Sequence, residues 1–331
     1  MAAPVELTVL PDTVFVERVA TGQLLNFDLA FTTASESEAV LVSVELRVTD
    51  RGGRLVLRRT VDAHGLRPGI ETIPDRVVPP SGSLLVFNPL HTFPADLDLA
   101  TVTCSCTLES DEQRTTVVAE VRPVAYEQKT ELVLPLRGRV FVAGGHDFLS
   151  PHRRIDPSHP LAAQLGLRAN SGRYADDLSL VDEGGALFVA EGRNLDDWFG
   201  FGATVRAPGA GNVVAAVGEV RDNTFTGEGV EFPAPPGEPA ASIFGNHLVL
   251  DHENGEYSVL GHLQYGSLEV ESGDTVEAGQ PVARLGLSGN TDFVHLHYQL
   301  QSGPDARLAE GLPAAFAGIG PLEPGMIFEI D

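Results

Sequence analysis

Two histidines occupy alternate positions in an apolar stretch, Val294-His295-Leu296-His297-Tyr298-Gln299-Leu300. Because successive side chains of an extended strand point to opposite faces, His295 and His297 share one face and their apolar neighbours share the other. Neutral imidazole is the commonest nitrogen ligand of metal ions, and zinc usually takes three or four protein groups. The pair therefore predicts part of a metal site. The alternative is a half-buried strand that carries two hydrogen-bonded structural histidines.

The composition indicates a folded protein and disfavours one class of partner, nucleic acid. A chain of 331 residues, 43% hydrophobic and 21% charged, is long enough for two domains. No apolar run approaches the roughly 18 residues of a membrane-spanning helix. The net charge of −24 disfavours nucleic acid as a partner, since phosphate binding needs a basic face and the basic residues cluster only at His152-Arg153-Arg154.

The first residues carry no recognisable export signal. Met-Ala-Ala-Pro-Val-Glu-Leu-Thr-Val lacks both a basic segment and an apolar core of about 7 to 15 residues, so we expect no signal peptide. This expectation leaves two alternatives open, a protein that stays inside the cell and a mature form.

Two cysteines lie two residues apart in Thr101-Val102-Thr103-Cys104-Ser105-Cys106-Thr107-Leu108. Strand alternation puts Cys104 and Cys106 on the same face as Val102 and Leu108, and a disulfide between positions i and i+2 would be strained. We therefore expect two small buried hydrophobic side chains rather than a disulfide or a metal site.

The first part of the chain has the pattern of an all-β sandwich. From about residue 5 to 128, apolar and polar residues alternate in segments that are separated by turn residues every 8 to 12 positions. Leu41 to Asp50 is typical, with four apolar residues on one face and a turn at Asp50-Arg51-Gly52-Gly53. We predict an immunoglobulin-like β-sandwich over residues 1–128, without a catalytic constellation of its own.

The remainder, residues 129–331, predicts a second domain that is also mainly antiparallel β. Helical signal is weak, with Pro160 to Leu167 the best short candidate. Residues 144–173 form a long irregular segment with three histidines, and residues 223–242 are rich in Gly, Pro and Glu and predict a surface loop. Both segments are expected to wall a groove. Strands are predicted at Arg173–Leu180, Leu187–Val189, Val205–Val217, Gly245–His252, Tyr257–Leu263, Gly279–Gly286 and Val294–Leu300.

Several motifs of this second part occur together and in order. They are Gly-Asn-His-Leu-Val-Leu-Asp-His at 245–252, Tyr257 followed by Gly261-His262-Leu263, Gly273-Asp274-Thr275-Val276 with Ala278-Gly279-Gln280, and His295-Leu296-His297-Tyr298. With Asp177, this set closely resembles the catalytic domain of the lysostaphin-type (LytM-type) zinc metallopeptidases, which cut peptide cross-links of bacterial peptidoglycan.

The resemblance implies a role for each matching residue. His297 and Asp177 would be zinc ligands, whereas His262 and His295 would handle protons and stabilise the developing oxyanion. Zinc chemistry suits these roles, since the ion polarises a carbonyl and lowers the pKa of water to about 7. The implied substrate is a peptidoglycan peptide or another peptide, and the implied location is the cell envelope or the outside. Because no signal peptide is visible, a cytoplasmic location stays open as the alternative.

The sequence departs from the usual family pattern at one ligand. Most members have a histidine four residues before the aspartate, where this chain has Arg173, which stays protonated and offers no lone pair. Arg173-Tyr174-Ala175-Asp176-Asp177 resembles instead a subgroup that reads Arg-Tyr-Ala-x-Asp. In that interpretation His152 is the first choice for the missing ligand, and His146 and His159 remain alternatives. Asp176 is expected to face outward, opposite to Asp177.

A second function class competes with a zinc metalloendopeptidase. The peptidase fold could survive as a binding or regulatory module without catalysis, which the missing conventional histidine favours. Retention of Asp177, His262, His295 and His297 favours the enzyme.

Overall fold

The structure is a computed structural model that describes residues 5–110, 113–227, 229–233 and 243–331. The chain divides into two compact units, residues 1–126 and 127–331. This division lies two residues before the boundary that the sequence pattern predicts. Both units are built from β-strands, and the predicted all-β class with antiparallel sheets is confirmed.

The strands of the first unit form three sheets, with orders β1-β4-β8, β11-β10-β5-β6 with β7 beside β5, and β12-β2-β3-β9. One hydrophobic core includes Phe27, Leu41, Val48 and Val102. The immunoglobulin-like identity of this unit stays a prediction. Its strands are β1 Glu6–Leu10, β2 Phe15–Val19, β3 Gly22–Leu25, β4 Asp28–Thr32, β5 Ala39–Thr49, β6 Leu55–Asp62, β7 Val77–Val78, β8 Ser83–Phe87, β9 Thr92–Phe93, β10 Thr101–Glu109, β11 Arg114–Val121 and β12 Val124–Ala125.

Most of the second unit's strands form one large antiparallel sheet, with order β21-β16-β19-β20-β23-β14-β13-β25 and β24 beside β23. Two small sheets, β15-β22 and β17-β18, accompany it. The strands are β13 Gly138–Gly144, β14 Asp176–Leu180, β15 Thr204–Arg206, β16 Gly211–Val217, β17 Thr224–Thr226, β18 Gly229–Glu231, β19 Asn246–Asp251, β20 Tyr257–Leu263, β21 Thr275–Val276, β22 Pro281–Arg284, β23 Leu296–Gln301, β24 Gly311–Leu312 and β25 Ile327–Ile330.

The central strands of this sheet are buried on both faces. Strand β23 is buried at each of its residues, and β14 at its first four. The apolar face predicted for Val294, Leu296 and Tyr298 is confirmed, since each side chain is at most 1% exposed. The polar residues on the other face are therefore held in a desolvated environment as well.

Helices are short. The helix α1 spans Pro160–Gln164, inside the predicted segment, and 3-10 turns occur at Gly69–Thr72 and Leu195–Asp197. Among the described residues, no helix has the length and apolar character needed to cross a membrane.

Two predicted segments differ from the structure. Leu187–Val189 is not a strand, because it contributes only an isolated bridge between Phe188 and Trp198. Residues 223–242 are not one loop, because 224–231 contain the β17–β18 hairpin. The rest of that predicted loop, 234–242, lies outside the described residues. An alternating pattern does not reveal short hairpins within Gly- and Pro-rich stretches.

The two cysteines are free and buried, as strand alternation predicts. Burial raises the pKa of the Cys104 thiol to about 12, and burial together with Cys104 raises the pKa of Cys106 further.

Since the thiolate is the reactive form of cysteine, we predict that the native protein resists alkylation by iodoacetamide at about pH 8. Mass spectrometry should find two modified cysteines only after unfolding in guanidinium. Rapid labelling of the native protein would contradict this burial.

Candidate metal centre

Four residues on adjacent strands form a row across the large sheet. Gly144 of β13 pairs with Asp177 of β14, Asp177 pairs with His297 of β23, and His297 pairs with Gly261 of β20. Directly paired residues project from the same face of a sheet. Asp177 and His297 therefore stand side by side, with a glycine beyond each of them.

The glycines leave room for the functional side chains. A Cβ atom at Gly144 would lie 2.8 Å from Asp177 Oδ2, whereas one at Gly261 would make an ordinary contact of 3.4 Å with His297 Cβ. A larger residue at position 144 would therefore displace the carboxylate.

Three side chains meet at this row. His297 Nδ1 lies 3.2 Å from Asp177 Oδ1, and His152 Nε2 lies 3.4 Å from Asp177 Oδ2. One candidate ligand atom from each of the three residues lies within 4.8 Å of the other two. This separation is compatible with donors around a single ion.

His152 reaches the row from the long irregular segment after β13. Its Nδ1 lies 3.1 Å from the Gly145 carbonyl, and its backbone carbonyl accepts a hydrogen bond of 3.0 Å from the Asn170 side chain. Two other histidines of this segment lie elsewhere. His146 Nδ1 is 3.4 Å from Asp176 Oδ1, and exposed His159 accepts from the Leu161 amide at the start of α1.

The hydrogen bond of His152 determines which ring nitrogen is left for an ion. A carbonyl oxygen only accepts, so Nδ1 must donate to Gly145 and Nε2 keeps its lone pair in the neutral ring. That lone pair faces Asp177 Oδ2, so two electron-rich atoms oppose one another unless a cation or a proton lies between them. Neutral imidazole nitrogens and a carboxylate oxygen are ordinary zinc donors, and the residues present therefore fit a zinc ion.

Two further histidines stand beside this cluster. His295 Nε2 lies 3.2 Å from Asp177 Oδ1, while its Nδ1 lies 3.1 Å from the Phe293 carbonyl. The His262 ring centroid is 4.7 Å from that of His295, and His262 Nδ1 lies 2.8 Å from the Ser288 carbonyl. In both neutral rings, donation from Nδ1 to a carbonyl leaves Nε2 unprotonated.

An irregularity of β20 brings His262 to this face. Because Gly261 pairs with His297, regular alternation would turn His262 to the opposite face. The pairing of β19 with β20 shifts register between Asn246 and Leu248, and His262 has φ of 60°. Such a left-handed conformation is costly for a non-glycine residue and is typical of functional sites.

The charges of the cluster follow from burial and neighbours. Burial opposes ionisation of Asp177, but the neighbouring His295, whose Nε2 lies 3.2 Å from Asp177 Oδ1, outweighs it and holds the pKa of Asp177 well below the ordinary value. Burial lowers the pKa of His152 to about 4 and that of His262 well below its usual range. Burial also acts to lower the pKa of His295, but the Asp177 carboxylate outweighs it and raises this pKa.

The cluster lines a cavity of about 400 Å³ with mostly apolar walls. The predicted wall formed by residues 144–172 is present, since Ile155 and Leu167 line the cavity. Phe244 and Phe293 contribute from other segments. The described part of residues 223–242 contributes no lining residue, and 234–242 lie outside the described residues.

The expectation that Asp176 faces outward is wrong. Its side chain points away from Asp177, as alternation requires, but it is only 1% exposed beside His146. Alternation indicates opposite faces, and here both faces of the sheet are covered. Arg173 is buried too, and its Nε lies 3.4 Å from Glu310 Oε2, away from the cluster.

Sequence reasoning missed Gln299, which contacts the site, and Gln301, which hydrogen-bonds to Gln299. Gln299 and Gln301 continue the two-residue spacing of His295 and His297, and Gln299 Oε1 lies 2.9 Å from His297 Nε2. The signal was present in the sequence as a polar residue at every second position.

We predict that Gly144→Ala weakens zinc binding about tenfold or more without unfolding the protein. Its new Cβ would displace the flexible Asp177 carboxylate rather than the backbone. Gly261→Ala is the matched control, because its Cβ makes only an ordinary contact. Competition with a chromogenic chelator measures affinity and circular dichroism checks folding. Equal zinc affinity in the two variants would contradict this geometry. The tenfold figure corresponds to about 1.4 kcal/mol.

We also predict that His152→Ala lowers zinc affinity by more than about 100-fold, because losing a partner of a ligand alone costs about 10 to 100-fold. His159→Ala should bind zinc as the unchanged protein does, since His159 only caps a short exposed helix. Zinc content after dialysis, measured by atomic emission, distinguishes the two. Full zinc content in His152→Ala would exclude it as a ligand.

Comparisons with known proteins found one family match and several similar solved structures. Residues 197–307 match the profile of peptidase family M23, a span that includes His262, His295 and His297 but begins after His152 and Asp177. No curated protein matches the chain. Among solved structures, a complex titled the SpoIIQ-SpoIIIAH pore forming complex is 16% identical, over 56% of this chain and 89% of that chain, with a TM-score of 0.29.

Two peptidases are also similar. The catalytic domain of the antimicrobial peptidase lysostaphin from Staphylococcus simulans is 20% identical over 44% of this chain and 80% of its own, with a TM-score of 0.25. A zinc containing peptidase from Vibrio cholerae is 14% identical over 92% and 85%, with a TM-score of 0.31. The family match therefore identifies a peptidase family M23 domain at residues 197–307 of this all-β chain.

Proposed function

We propose that the protein is a zinc metalloendopeptidase that hydrolyses peptide bonds. The observation that carries the proposal is the buried cluster of His152, Asp177 and His297 in an apolar-walled cavity, with His262 and His295 beside it. The family M23 domain supports a peptidase. A binding module without catalysis would not require this complete set of proton-handling groups around the candidate ligands.

In this proposal His152 Nε2, Asp177 and His297 Nδ1 would hold the zinc ion. When bound, zinc would polarise the scissile carbonyl and lower the pKa of an attacking water to about 7. Asp177 contributes the negative charge that neutral imidazoles lack. The apolar walls exclude bulk water, which strengthens electrostatic interactions inside the cavity.

His262 and His295 would divide the proton transfers. His262 is neutral near pH 7, with Nδ1–H held by the Ser288 carbonyl, so its Nε2 can accept a proton from the attacking water. His295 holds a proton more readily because Asp177 stabilises its imidazolium. The charged ring would donate to the developing oxyanion and then to the leaving amine.

The substrate class is proposed from the family resemblance and the character of the cavity. Peptide cross-links of peptidoglycan are the first candidate, which implies a location in the cell envelope or outside the cell. Arg307, the one arginine among the described lining residues, is paired with Asp305 at 2.7 Å. Because the described walls are mostly apolar, they favour small or apolar residues next to the scissile bond.

Incubation of zinc-loaded protein with purified peptidoglycan, and in parallel with a mixed peptide library, tests the proposal. Mass spectrometry of the new termini should identify cleavage in the peptidoglycan stems or bridges. Cleavage of the library alone would replace peptidoglycan by other peptides. A protein that holds zinc but cleaves neither would contradict the enzyme and favour the binding module.

We predict that His295→Ala loses about 10² to 10⁴-fold in kcat, the usual contribution of a general acid or base, while it retains one zinc ion. His297→Ala should lose both zinc and activity. His64→Ala is the control, because His64 is an exposed residue of the first unit. Zinc loss in both site variants would refute this division between proton transfer and metal binding.

A further inference from the structure

We propose that Gln299 and Gln301 are positioning residues that hold His297 in the tautomer able to bind a metal ion. The inference rests on the metal role of His297 in the proposed function and adds the residues that prepare this ligand. Gln299 lines the cavity together with His297, whereas Gln301 contacts Gln299 from behind and is not a lining residue.

The four polar residues of this strand segment form one continuous row. His295, His297, Gln299 and Gln301 are spaced by two and therefore share a face. Gln299 is 1% exposed and Gln301 is fully buried. Buried amides are costly unless they are hydrogen-bonded, and apolar residues of similar volume would fill this space without that requirement.

The Gly303 carbonyl, at the end of the row farthest from His295, determines how the amide groups of Gln301 and Gln299 are oriented. Gln301 Nε2 donates to the Gly303 carbonyl at 2.7 Å, and this carbonyl can only accept. Gln301 must therefore present its amide group to Gly303 and its oxygen to Gln299. Gln299 Nε2 donates to that oxygen, which turns Gln299 Oε1 toward His297.

The orientation of the Gln299 amide in turn determines which nitrogen of the His297 imidazole carries the proton. Gln299 Oε1 lies 2.9 Å from His297 Nε2, so Nε2 must carry the proton of the neutral ring and donate it. His297 Nδ1 is left with its lone pair 3.2 Å from Asp177 Oδ1, on the side of His152. The opposite tautomer would put a lone pair against Gln299 Oε1 and a proton where the ion must bind.

We call this hydrogen-bond chain, from His297 through Gln299 and Gln301 to the Gly303 carbonyl, the relay. It connects a candidate metal ligand to the backbone through two side-chain amides. Hydrogen-bonding partners behind ligating histidines typically contribute about 10 to 100-fold to metal affinity. A purely structural role would require only that each amide is satisfied, and would not depend on which nitrogen of His297 is protonated.

The first test is zinc affinity. Gln299→Leu removes the acceptor for Nε2–H and should weaken zinc binding about 10 to 100-fold. Gln299→Glu keeps an acceptor for Nε2–H, although it loses the donor to Gln301, and should lose less affinity than Gln299→Leu. Gln301→Leu leaves Gln299 in place but frees its amide to rotate, and should cause a smaller loss in the same direction. Unchanged affinity in both leucine variants would overturn the proposal.

Tyr298→Phe is the matched control. It removes a buried hydroxyl from the opposite face of the same strand, where Tyr298 lies 3.2 Å from Ser258 Oγ. Its zinc affinity should not change, although its stability should fall. An equal loss of affinity in Tyr298→Phe and Gln299→Leu would show that any polar deletion in β23 has this effect, and would also overturn the proposal.

Nitrogen-15 NMR of the histidine side chains provides a readout without activity. In the zinc-loaded protein, His297 should show a protonated Nε2 that exchanges slowly with water, and this protection should vanish in Gln299→Leu. In the metal-free protein at about pH 8, the neutral ring should already be protonated at Nε2. Protonation at Nδ1 in either form would refute the relay.

These outcomes are separable from a failure of the proposed function. A protein that binds zinc without cleaving any peptide would contradict the enzyme, while the affinity series would still test the relay. A protein that binds no zinc would contradict the metal centre, and the tautomer of the metal-free ring would still decide the inference.

Discussion

The structure around the site depends on one buried carboxylate. Asp177 is only 8% exposed and remains ionised, although burial opposes its charge. A buried anion requires a compensating positive charge, which four surrounding imidazoles can supply only through a proton or through a shared cation. His152 and His262 are too deeply buried to carry that proton near neutral pH. His295, whose pKa the Asp177 carboxylate raises, or a metal ion can supply the compensation, and the proposed chemistry uses both.

The large sheet provides the rigidity that this arrangement needs. Asp177 and His297 are direct neighbours on adjacent strands, so their separation is set by backbone hydrogen bonding and not by loop conformation. Gly144 and Gly261 flank the pair, and the missing side chain at Gly144 leaves the space that the Asp177 carboxylate occupies. Sites built on strands hold their groups more closely than sites on loops. Only His152 reaches the cluster from a long irregular segment, and a backbone carbonyl orients its ring.

The sequence predicts those site residues that follow strand periodicity and fails where a strand irregularity or a long loop determines the position. Strand periodicity was enough to bring His295 and His297 onto one face, and it separated Asp177 from Asp176. It could not reveal that both faces are covered, which is why the outward orientation of Asp176 is wrong. His262 was recognised from its motif, whereas periodicity alone would turn it away, because the irregularity in β20 has no simple sequence signal. A long loop has no sequence periodicity, so the sequence could not decide which of its three histidines is the third candidate ligand. In the structure, His152 is the one that lies in the cluster.

The central claim is that two imidazoles and one carboxylate share a zinc ion, and X-ray absorption spectroscopy of the zinc-loaded protein measures that directly. We expect two imidazole nitrogens and one carboxylate oxygen bound directly to zinc at about 2.0 to 2.2 Å, with one further light-atom ligand and no sulfur. The His152→Ala protein, loaded at high zinc concentration, should show one imidazole fewer. An unchanged spectrum in that variant, or a first shell without imidazole, would contradict the account.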